Sequence, residues 1–168
     1  VIITDTTWVD VTITGLLLPP VSTFEDTCAR CHGPQGSFYG PQFARLEEAE
    51  LMRVVREMMQ GPALLQPTDV EVRAMTAYHR ALSAGEPFVV VTAWRGPTEG
   101  DNGLLRGEAS PGALVCVANG PGDPSRADER GLWEIPGLTA ASPPLIRVER
   151  QGKTTLLDLP TSQWSHTQ

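Results

Sequence analysis

Ser22-Thr23-Phe24-Glu25-Asp26-Thr27-Cys28-Ala29-Arg30-Cys31-His32-Gly33-Pro34 is the segment from which the rest of the chain is read. Ser22 and Glu25 have the spacing of a capping box, and the acids Glu25 and Asp26 suit the positive end of a helix. A helix is therefore expected from about Thr23 to His32, stopped by Gly33-Pro34. Residues three apart share a helix face, so Cys28 and Cys31 point the same way. Cys-x-x-Cys-His is the attachment signature of c-type haem. In that reading both thiols reach the two vinyl groups on one porphyrin edge, and His32 offers an imidazole nitrogen to the iron.

Other chemistries fit these five residues less well. A thioredoxin-like redox pair needs a preceding βαβ unit, and here the strand-like segment before the motif ends in Pro19-Pro20. Zinc needs a second pair of ligands, and only the scattered His79, His166 and Cys116 remain. A Cys28–Cys31 disulfide leaves His32 unexplained.

Composition bounds the remaining options. The chain has 168 residues, 13 Lys+Arg against 20 Asp+Glu and a formal charge of −7, with 40% hydrophobic and 20% charged residues. That is a globular composition, long enough for one ordinary domain or two small ones. Sixteen glycines and fifteen prolines argue against a long helical bundle. No apolar run approaches the roughly 18–20 residues that span a bilayer; Leu16–Val21 is broken by two prolines. An acidic chain with no Lys/Arg cluster is a poor nucleic-acid binder. Three cysteines exclude a fully paired intramolecular disulfide set. Opening at Val1 rather than methionine, the chain is expected to have lost, or to lack, an N-terminal segment.

Two further helices follow the motif. Leu46, Ala49, Leu51, Met52, Val54, Val55, Met58 and Met59 recur with a period near 3.6, between an acidic start and Gly61-Pro62. Val70, Val72, Met75, Ala77, Tyr78 and Leu82 mark the next, begun by Thr68 or Asp69 after Pro67 and ended at Gly85. With Phe24-x-x-x-Cys28-x-x-Cys31-His32-Gly33, Gly40-Pro41, Gly61-Pro62 and Tyr78 in this order, the stretch from about 20 to 85 resembles the class I c-type cytochromes. The resemblance implies one covalent haem c held by Cys28 and Cys31, with His32 as proximal ligand. It also implies a Phe24–Tyr78 contact and a Pro41 carbonyl that accepts the Nδ1–H of His32. The family usually presents a methionine from a Gly-Pro-x-x-Met-Pro loop, where this chain has Gly61-Pro62-Ala63-Leu64-Leu65-Gln66-Pro67. The distal ligand is thus sought first at Met59, then at Met58. His79, read as facing solvent, is a third candidate, and an open position a fourth. Met52 and Met75 read as plain core.

Beyond Pro87 the pattern changes to short β-rich runs. Phe88–Trp94, 103–107, 113–118, 131–135, 145–150 and 153–157 are separated by Gly, Pro, Asn and Asp, with Gln151-Gly152 as a hairpin tip. Leu105-Arg-Gly-Glu-Ala-Ser-Pro-Gly-Ala-Leu-Val115 followed by Asp128-Glu-Arg-Gly-Leu-Trp133 resembles bacterial immunoglobulin-like repeats, which implies a β-sandwich. Cys116 reads as a buried free thiol, and Trp94, Trp133 and Trp164 as packing residues. Trp8–Thr14 alternates with period two and is expected to pair with a sheet, while the polar tail after Pro160 reads as loose or partner-bound.

The expected fold is thus two-domain, a small all-α cytochrome c module plus an all-β immunoglobulin-like sandwich. Residues 1–19 form a pairing strand segment, 20–85 the haem domain and 86–168 the sandwich. The expected function is electron transport by a monohaem, iron-containing protein in the periplasm or outside the cell, without catalysis of its own. It would serve as a carrier or as a subunit of a larger, membrane-associated complex. Its redox protein partners would carry a basic docking face. A haem protein open to gases or peroxide, and a structural β subunit of an assembly, are the alternatives.

Overall fold

Pro20 occupies the first helical position, where a missing N–H is no loss, and opens α1 (Pro20–Thr23). The computed structural model describes residues 16–118, 120, 122–139 and 145–158; the Trp8–Thr14 stretch, Trp164 and the tail after Pro160 lie outside them. From α1 the chain runs through a π-helical turn, Phe24–Cys28, into α2 (Ala29–His32). It stops at Gly33, whose φ of 77° a side chain would resist. Ser22 does not cap this helix. It lies inside it, and the Val21 and Ser22 N–H groups donate to the Glu108 carboxylate at 2.8 and 3.0 Å.

Two longer helices complete the layer. The first, α3 (Glu48–Gln60), buries Leu51, Val55 and Met59, one residue per turn. The second, α4 (Asp69–Ala84), starts at a capping box in which Thr68 Oγ1 accepts from Glu71 N–H while Glu71 accepts from Thr68 N–H. It ends at Gly85 in the left-handed conformation. Glu71 also accepts the Leu17 and Leu18 N–H groups at 3.0 and 2.9 Å, which ties the incoming chain to α4.

Seven strands follow: β1 (Val89–Arg95), β2 (Gly103–Ala109), β3 (Leu114–Val117), β4 (Ser125–Arg126), β5 (Leu132–Leu138), β6 (Ile146–Arg150) and β7 (Lys153–Leu157). They form two antiparallel sheets, ordered β1-β2-β5 and β4-β3-β6-β7. The β6–β7 hairpin turns through Gln151 and Gly152, with φ of 52° and 78°. Two positive φ values in a two-residue loop match the strand twist. One core lies between the sheets, where Val89, Val91, Leu105 and Ile135 meet Val115, Ile146, Val148 and Leu157. Trp94, Trp133 and Cys116 are buried.

The expected division into an all-α cytochrome c module and a separate all-β immunoglobulin-like sandwich is overturned: the fold is mixed. Side chains alternate along β1, so Val89 and Val91 enter the core between the sheets while Phe88 and Val90 enter the helical core with Val21, Phe24 and Tyr78. A strand buried on both faces is apolar without interruption, as Phe88-Val89-Val90-Val91 is. Polar contacts cross the same junction. Thr155 Oγ1 donates to the Pro87 carbonyl at 2.6 Å, and Arg130 on the sheet side pairs with Asp26 at 2.5 Å. The helical core is therefore completed by Phe88 and Val90 of the sheet unit and does not close on itself.

Candidate functional site

The π turn sets where the cysteines fall. Ala29 N–H donates to the Phe24 carbonyl, five residues back, so one extra residue is inserted ahead of the motif. Phe24, wholly buried, anchors the turn: it meets Tyr78 edge to face at 5.6 Å and the His79 ring at 5.4 Å. Glu25 accepts the Gln35 N–H at 2.9 Å and the Tyr78 hydroxyl at 3.4 Å, and burial raises its pKa. Beyond this anchor Cys28 is half-buried and Cys31 exposed, and both are free thiols. Burial, then the nearby Cys31 and Glu25, push the Cys28 thiol up. A thioredoxin-type nucleophile requires the opposite shift.

Cys28, His32 and Met58 border two adjoining cavities. The inner, of about 110 Å³, is closed by Tyr39, Phe43, Met59, Met75 and His79 among others. The outer, of about 410 Å³, opens past Cys31, Arg30 and Pro62-Ala63. Carbon dominates the walls of the inner one, and Cys28, His32, His79 and Tyr39 are its lining residues that carry polar groups. Among the described residues no group of three or more His, Cys, Asp or Glu side chains is placed to hold a bare metal ion. Iron that arrives inside a porphyrin brings four nitrogens and asks the protein for one or two ligands. An apolar slot with two thiols at its mouth and an imidazole beside them fits that group.

The two methionines differ in place. Met59 is 2% exposed, in the core of α3 and on the wall of the inner cavity. Met58 is 39% exposed and faces both cavities. Pro41 is exposed at the head of a 3-10 turn, Pro41–Arg45, and no hydrogen bond joins it to the His32 ring among the described residues.

His79 does not face solvent as its sequence neighbourhood was read to imply. It is 7% exposed and lies in the cavity wall. Its Nδ1 is 2.8 Å from the Met75 carbonyl, which can only accept, so the proton is on Nδ1. Nε2 then accepts from the Tyr39 hydroxyl, also at 2.8 Å. Together with Phe43 these residues form an aromatic cluster that sequence reading missed. The helical period did hold the signal, since position 79 shares a face with Val72 and Met75.

Burial holds the His79 pKa down at about 4, helped by the nearby His32 and opposed by the Met75 carbonyl. An unfolded histidine takes a proton near 6.5, so between the two values the unfolded chain binds the proton and the folded one does not. The resulting stability is present above about pH 6.5 and is lost as pH falls toward 4, to the extent of about 3 kcal/mol. Urea unfolding of wild type and His79→Leu between pH 7 and 4 should show this slope in the wild type only; equal slopes would contradict it.

Comparison of the chain with family models, curated proteins and solved structures finds no match. Among the described residues no helix is long and apolar enough to cross a membrane.

Proposed function

We propose that this chain is an exported c-type haem protein that passes single electrons between protein partners in the periplasm or outside the cell, alone or as a subunit of a larger complex. The observation that carries the reading is that Cys28, Cys31 and His32, from one helical turn, all border the outer, largely apolar cavity, and that Cys28 and His32 also border the inner one. Cys28 and Cys31 would each add a thiol across one vinyl group, a step that needs no oxidant. His32 would bind iron from the side of α2. Met58 or Met59 would provide a thioether ligand across the cavity, a choice that favours a high potential and a closed iron. When bound, haem supplies a one-electron iron couple. The chain's own part is to hold the ligands still, exclude water from the inner cavity and leave the Cys31 edge open to a partner.

The direct test is a pyridine haemochrome spectrum together with the intact mass. One haem above the 18.1 kDa of the polypeptide is expected. A colourless protein of polypeptide mass would overturn the proposal. The charge of −7 gives a second expectation: reduction by a basic redox protein should slow about tenfold from low to high salt as steering is screened. A salt-independent rate would remove the basic docking face from the proposal.

A further inference from the structure

Electron transfer at this site leaves two polar side chains, the half-buried Tyr39 and the buried His79, without a task. They are linked to each other and to the helix backbone. The Met75 carbonyl on α4 receives His79 Nδ1–H, and His79 Nε2 receives the Tyr39 hydroxyl, both at 2.8 Å. The Tyr39 ring lies flat on Phe43, with centroids 4.5 Å apart at 6°, and meets the His32 ring at 4.9 Å and 51°. Burial raises the Tyr39 phenol far above its usual range, so it stays a donor.

The His32 imidazole itself makes no hydrogen bond among the described residues. The Pro41 carbonyl, its acceptor by resemblance, is not bonded to it. The aromatic neighbour of the His32 ring is therefore Tyr39, which is held in place by its stack on Phe43, its edge contact with Phe24 and its hydroxyl bond to His79. We infer that Tyr39 and His79 are positioning residues for His32: the chain Met75 C=O, His79, Tyr39 fixes the rotation of the imidazole that faces the cavity. The inference takes its consequence from the haem proposal, because the orientation of an axial imidazole tunes the metal it binds. The geometry itself does not depend on iron.

The test uses Tyr39→Phe, His79→Leu and the double variant of the full chain as purified, each checked for folding by far-UV circular dichroism. Tyr39→Phe keeps the ring against Phe43 and His32 and removes one oxygen. Two quantities are read: the ¹⁵N resonances of the His32 ring and, in haem-loaded protein, the reduction potential. Both singles should shift both quantities in the same direction and by similar amounts, and the double variant should shift them no further, as for a broken chain. Tyr39→Phe indistinguishable from wild type would overturn the inference and leave packing as the only role of the pair. Should His79→Leu fail to fold, Tyr39→Phe decides alone. A colourless wild type refutes the haem proposal instead, and the His32 resonances still decide this one.

Discussion

Protein carrying Cys28→Ser and Cys31→Ser together should leave an exporting host with no covalently bound haem and with the mass of its polypeptide alone. A serine hydroxyl is a far weaker nucleophile than a thiol and forms no thioether. Each single variant should keep one bond. Cys31, exposed at the mouth, is the more accessible thiol; Cys28, half-buried and held in its neutral form by burial, is the one the cavity wall encloses. His32→Ala should leave both thioethers possible while removing the nitrogen ligand, so the pigment persists with an altered Soret band. Intact-mass spectra after acid extraction separate covalent from loosely held pigment. Haem that survives acid extraction from the double serine variant would show that attachment runs through other atoms and would remove the basis of the proposed function.

Glu108→Ala should destabilise the fold by about 3–5 kcal/mol, the largest effect expected of any residue outside the cavity. Glu108 is 1% exposed on β2, and its two oxygens take the Val21 and Ser22 N–H groups at the open end of α1. Alanine leaves both donors buried without partners. Glu108→Gln keeps one carbonyl oxygen and turns an NH₂ toward the other donor, so its loss should be smaller.

Acid adds a further check. Burial raises the Glu108 pKa above 4.5, although the Ser22 and Val21 donors pull the other way. An acid with a raised native pKa contributes stability that is full below its unfolded value and is lost as pH rises through the native one. The advantage of wild type over Glu108→Gln should therefore shrink as pH rises from below 4.5. Urea titrations at several pH values read it, and an advantage that grows with pH would show the carboxylate to be stabilised by its donors more than burial opposes it.

Signals confined to a few neighbouring residues were legible. Thr68, one of the two residues expected to begin α4, caps it, Gly33 and Gly85 stop helices with positive φ, and Gln151-Gly152 turns the last hairpin. Ser22 and Glu25 carry the same local pattern as Thr68 and Glu71, yet each is taken by distant partners. Ser22 N–H goes to Glu108, 86 residues on, and Glu25 to Gln35 and Tyr78. Capping chemistry states what an end needs and not who supplies it. The run Phe88–Val91 was read as the start of a separate β unit because a pattern of uninterrupted apolar residues does not say what covers the second face. The helices cover it.

The candidate site divides along the same line. The sequence by itself put Cys28, Cys31 and His32 on one helical turn, since that needs only their spacing, while the π turn anchored by Phe24 on Tyr78 and His79 sets how the turn is presented. Only the tertiary structure decided that His79 bonds to Tyr39, that Met58 and Met59 sit differently on the cavity, and that Phe88 and Val90 complete the helical core. Those outcomes depend on burial and on hydrogen bonds between residues far apart in the chain, such as the 40 positions between Tyr39 and His79. Neither spacing nor propensity encodes them locally.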